Sequence, residues 1–136
     1  MGLLNRKDLL QKEKVQIVKV DLGEDNFVFV RQMSGRERDR WETSLLKEGP
    51  GGKYQQALDD FRAKLAVATL CDEEGNLLLQ HTDIGTLSQN MSAASLDKIV
   101  TEAQRINRVS EQDKEALVKN SVVGQADNSG SDSVEN

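Results

Sequence analysis

The chain has 136 residues, 37% of them hydrophobic but only 4% aromatic, and a formal net charge of -5. That length supports one domain with one core, built mainly from Leu, Val, Ile and Ala, and it needs no disulfide or metal to fold. The acidic balance argues against an extended phosphate-neutralising surface, the single cysteine Cys71 allows no internal disulfide and suits a reducing cytoplasm, and no apolar run has bilayer or signal-peptide form.

Residues 1–13 are charged and are expected to be mobile, with Leu3, Leu4, Leu9 and Leu10 able to form a short amphipathic turn. Lys14 to Val20 is β-branched and partly alternating, and Phe27 to Arg31 reads as a second strand. Between them Asp21 to Asn26 holds the Asp, Gly and Asn that tolerate turn geometry, so the pair predicts an antiparallel hairpin. Such a hairpin is marginal alone and must pack on helices or on another subunit.

Ser34 and Glu37 have capping-box spacing, which predicts a helix over Arg36 to Lys47 with Trp41, Leu45 and Leu46 as its apolar residues. Gly49-Pro50-Gly51-Gly52 ends it. Tyr54, Leu58, Phe61, Leu65 and Ala68 recur at steps of three and four, which predicts a central buried helix from Tyr54 to about Leu70, flanked by Ala57, Ala66 and Val67. It stops at the acidic turn Cys71 to Asn76, and Leu77-Leu78-Leu79 follows as a strand or as core filling. Thr82 or Asp83 can cap a short helix through Leu87, and Ser92 a longer one with the stripe Leu96, Ile99, Val100, Ala103 and Ile106. Ser110 and Asp113 suggest a last helix, Glu111 to Lys119. The expected organisation is a mobile segment 1–13, a single domain 14–121 and a disordered tail 122–136. The fold class is α+β, mostly α: an N-terminal β-hairpin followed by four or five helices.

No constellation for catalysis emerges. Cys71 and His81, the only residues of their kinds, suggest a nucleophile and its base for a small hydrolase, but sequence proximity supplies neither contact nor a lowered thiol pKa. Cys71 falls where the apolar helix ends and reads better as a small buried residue. One Cys and one His do not make a structural zinc site, and Asp72 to Asn76 lacks the ligand alternation of a calcium loop. Gly51-Gly52-Lys53 is followed by Tyr54, not by the Ser or Thr of a phosphate loop. Hence no catalytic residue, cofactor or metal is assigned. Arg36, Arg38 and Arg40 alternate beside Trp41, but Glu37, Asp39 and Glu42 balance them, and alternate residues diverge on a helix. A solvated helix face with a Trp anchor is favoured there over nucleic-acid binding.

Taken together, the hairpin ending Val30-Arg31, the run Met33-Ser34-Gly35-Arg36-Glu37-Arg38-Asp39-Arg40-Trp41-Glu42, Leu65 to Asn76, Thr82-Asp83-Ile84, Ser95 to Ile99 and Ile106 to Ser110 resemble, in that order, the tail assembly chaperones of long-tailed bacteriophages of the siphophage type. The resemblance covers about residues 14–121. It implies a non-enzymatic protein that binds the tape-measure protein, assists recruitment of the tail tube protein, and leaves before the virion is mature. It also implies a homo-oligomer, a longer frameshifted form of which this chain is the short version, and residence in the bacterial host cytoplasm, with no nucleic-acid or membrane partner. Arg31, Arg36, Arg38 and Trp41 are the candidate protein-binding residues, with a pure core role for Trp41 as the alternative. A phage or host regulatory protein, binding protein or nucleic acid, is the alternative.

Overall fold

A computed structural model describes residues 2–56 and 59–109. Three elements built from local sequence signals frame it. The first is a hairpin, β1 (Ile17–Gly23) with β2 (Asn26–Arg31), antiparallel with Val18 opposite Val30 and Val20 opposite Val28. This register puts Val18, Val20, Val28 and Val30 on one face and Lys19, Phe27, Phe29 and Arg31 on the other. Glu24 and Asp25 form the connecting turn, both with positive φ (53° and 64°), the backbone that two-residue hairpin loops need. The second element is α2 (Gly35–Ser44), where Ser34 Oγ accepts from Glu37 N–H and the Glu37 carboxylate accepts from Ser34 N–H. The third is α5 (Ala93–Asn107), capped by Ser92, whose hydroxyl accepts from Ser95 N–H at 3.1 Å.

Between these elements the chain departs from the expected order of a hairpin followed only by helices. The expected helix to Lys47 ends at Ser44, and Leu46–Glu48 forms a short strand, β3. Tyr54–Gln56, read above as the start of the central helix, is instead β4, antiparallel to β3 with Leu46 opposite Gln56 and Glu48 opposite Tyr54. Gly51 and Gly52 carry φ of 76° and 75° in the turn that joins the two strands, a conformation that costs glycine little. The central helix α3 therefore runs only Phe61–Thr69, entered through Asp60 in left-handed conformation. It yields at once to β5 (Leu70–Cys71), which adds to the open side of the hairpin with Val30 opposite Leu70 and Phe29 opposite Cys71. The sheet order is β1-β2-β5.

Of the three leucines 77–79, Leu77 makes a single bridge to Cys71, Leu78 is exposed, and Leu79 packs against the core. A turn of 3-10 helix, His81–Asp83, leads into α4 (Ile84–Asn90), three residues longer than expected. The N-terminal segment holds the short helix α1 (Arg6–Leu10), closed by reciprocal bonds between Asn5 and Asp8, with Leu3, Leu4, Leu9 and Leu10 all exposed. Ala57 and Leu58, the helix expected at Glu111 to Lys119 with its Ser110 cap, and the tail 122–136 lie outside the described residues.

The core has two lobes that share α5. Leu96, Ile99 and Ile106 pack with Val20, Val30, Ala66 and Leu70 beneath the sheet. Val100 and Ala103, on the neighbouring stripe of the same helix, pack with Trp41, Leu45, Leu65 and Val109. The fold class is α+β, and no helix among the described residues is long and apolar enough to cross a membrane.

Candidate functional site

The corner where β2 passes into α2 carries all four of the residues singled out above, and the structure sends them in different directions. Arg31, at the end of β2, is largely buried, and its guanidinium pairs with Glu37. Its Nε is buried with no acceptor among the described residues. Arg38 faces α5: its Nη1 donates to the Asn107 carbonyl at 2.7 Å and its Nε to Glu42 at 3.0 Å, while its guanidinium lies 5.7 Å from the Trp41 ring centre. The Asn107 side chain completes this joint by accepting from Met33 N–H at 2.7 Å and donating to the Arg31 and Ala103 carbonyls. Arg31 and Arg38 thus fasten β2 and α2 to the end of α5. Arg36 is exposed in the first turn of α2. Trp41 is only 5% exposed and belongs to the core, its ring centre 6.0 Å from that of Phe61.

Two recesses flank α2. On one side is a cleft of about 780 Å³ beneath the N-terminal segment, bordered by Lys12, Lys14, Arg31, Arg38 and Arg108 against Glu13 and Glu37. On the other is an apolar groove of about 210 Å³ between α2 and α3, closed at one end by the chain from Leu77 to Ile84. Glu37, Arg40, Trp41 and Ser44 face it from α2, and Lys64, Val67 and Ala68 from α3. Each set follows the three-four spacing of a single helix face. Leu77, Leu79, His81 and Ile84 supply the third wall. The indole N–H of Trp41 has no acceptor among the described residues, an uncommon state for a buried donor.

The groove was not found from the sequence, although part of its signal was there. Arg40 and Ser44 share a face with Trp41, and Lys64, Val67 and Ala68 are correctly spaced. The missing part was the pairing of the two faces, which depends on α5 packing behind both.

The remaining candidates for chemistry separate. Cys71 is buried in β5 and is 2% exposed; desolvation pushes its thiol up, with Arg31 opposing and Asp72 adding to the rise. That is the reverse of the shift that activates a cysteine nucleophile. His81 is exposed on the groove rim, and no hydrogen bond joins it to Cys71 among the described residues. No group of three or more His, Cys, Asp or Glu side chains among the described residues is placed to hold a metal ion. Asp72 accepts from the N–H groups of Glu74 and Asn76 at 2.8 and 2.9 Å and from the Asn76 amide at 3.2 Å, bonds that close a turn. These bonds, Asn76 first, hold its carboxyl below the usual range.

The region offers an apolar recess edged by charge between two helices, beside a cleft bordered by more basic than acidic side chains. No protein-family model, curated protein or solved structure matches the chain.

Proposed function

We propose that the protein is a non-enzymatic tail assembly chaperone of a long-tailed phage, holding helical segments of the tape-measure protein until the tail tube forms around it. The observation that carries this reading is the apolar groove between α2 and α3, with the sole tryptophan of the chain in its wall. Recesses between amphipathic helices accept the apolar face of a partner helix, and tryptophan is the residue most often found at the energetic centre of such contacts. The ordered resemblance described above supplies the identity of the partner.

In this reading the tail tube protein is recruited secondarily, the chaperone self-associates, a longer frameshifted form exists, and the protein acts in the host cytoplasm without entering the virion. Arg31 and Arg38 shape the site from behind by fixing α2, and Trp41 contributes one wall. Arg36 remains available for contact at the helix start.

Co-expression with the tape-measure protein of the same phage tests the proposal. The two should purify together, and the tape-measure protein should precipitate when expressed alone. A tape-measure protein that stays soluble alone and does not retain this chain would sink it.

A further inference from the structure

We propose that the α2–α3 groove selects acidic amphipathic helices, taking one large apolar side chain into the recess while flanking Asp or Glu residues meet Arg40 and Lys64. This rests on the binding role given to the groove above and names the chemistry of the segment it holds. A recess of about 210 Å³ is smaller than sites that enclose whole small molecules; it suits a single anchor side chain. Its walls from Val67, Ala68 and Leu77 are apolar, and Leu77 is 38% exposed at the mouth.

The charge at that mouth is positive although the whole chain carries -5. Arg40 is exposed and has no ion pair among the described residues. The Lys64 ammonium donates to the Ser44 carbonyl at 2.8 Å, which leaves two of its three donors for an incoming group. Glu37, the one acid on this rim, is committed to Arg31 and to the Ser34 N–H. A helix flanked by lysines would meet two cations with no free anion to offset them.

Trp41 is the only tryptophan, so its fluorescence reads occupancy directly. The probes are two synthetic helices of about 18 residues, long enough to hold helical structure, sharing one leucine stripe and differing only in glutamate or lysine flanks. The full chain should bind the glutamate-flanked helix about five to ten times more tightly at low salt, the factor two exposed ion pairs supply. The advantage should fade as salt rises. Arg40→Glu, which leaves Lys64 facing a new carboxylate, should abolish the preference at an unchanged melting temperature, and Leu77→Glu should weaken both helices.

Equal affinities, no binding of either helix, or indifference to Arg40→Glu would overturn the proposal. So would a fluorescence change that follows the protein's own concentration and not the peptide's, which would put a second copy in the groove. If the glutamate-flanked helix is selected but the tape-measure protein does not copurify, the chaperone reading falls and the selectivity stands. Copurification that survives both Arg40→Glu and Leu77→Glu gives the opposite result.

Discussion

Trp41 holds two positions at once, packed into the lobe around Leu45, Leu65, Val100 and Val109 and facing the groove from one side. Removing it should therefore be felt first as lost packing: Trp41→Ala should cost about 3–5 kcal/mol in a denaturant titration. Trp41→Phe should cost distinctly less, because it deletes the acceptorless N–H together with only part of the ring. Loss of partner binding by Trp41→Ala with no change in melting temperature would contradict the core placement. Asn107 offers a second test at this scale. Its side-chain oxygen is the acceptor for the partly buried Met33 N–H, so Asn107→Ala should cost about 1–3 kcal/mol, the penalty of an unsatisfied donor. The same change should leave helix α2 itself formed, since its Ser34–Glu37 cap is independent of Asn107.

At the scale of elements, the hairpin turn is the place where sequence and backbone disagree most. Glu24 and Asp25 both sit at positive φ, a region that disfavours side chains with a Cβ. The double change Glu24→Asn, Asp25→Gly should stabilise the protein by about 1 kcal/mol, measured as a raised denaturant midpoint at constant slope. The Asp72 turn gives a pH dependence. Its carboxyl is held below the usual range by the Asn76, Glu74 and Gly75 bonds, so it contributes stability that is present above the ordinary aspartate pKa. That stability is lost as pH falls through the lowered value. Melting temperatures followed from neutral pH into the acid range should decline, and Asp72→Ala should remove part of that decline.

The elements legible in the sequence were those whose signals are local. Alternation from Lys14 to Val20 announces the first strand, which the backbone sets three residues later at Ile17–Gly23, and the Ser34–Glu37 spacing and the Leu96 to Ile106 stripe each specify structure within a dozen residues. Tyr54 misled because it stands at helical spacing from Leu58 and Phe61, while its actual partner, Glu48, lies across the glycine turn. Leu70 closes the expected helix and Cys71 opens the acidic turn, yet the hairpin's open side at Phe29 and Val30 claims both as strand. That partner is forty residues away, and no local pattern reports it. The site was legible only in part: Arg31, Arg38 and Trp41 lie at one corner, but two of the three serve as fasteners. Arg40 and Lys64 edge the groove, yet Arg40 reads in the sequence only as one of three alternating arginines on a solvated face, and Lys64 as ordinary surface charge.

For the whole molecule, α5 is the common support. Ile99 is fully buried beneath the sheet, and Val100, the next residue, packs with Trp41. Ile99→Ala should cost about 2–5 kcal/mol. Because both lobes lean on one helix, the loss should appear equally in far-ultraviolet circular dichroism, which sees all elements, and in Trp41 fluorescence, which sees one lobe. The two unfolding curves should coincide before and after the change. Separate midpoints would show that the lobes unfold independently.

The bonds that run from the end of α5 to Arg31, Met33 and Arg38 have a consequence for the thermodynamics of association. They hold the chain entering α2 at Arg31 and Met33 and the helix itself at Arg38, so one wall of the groove enters a complex with little conformational freedom left to lose. The entropy of ordering then falls on whichever segment docks there. A partner stiffened in advance, by helix-favouring substitutions away from the contact face, should gain affinity nearly in full. Comparable stiffening of this protein should gain almost nothing.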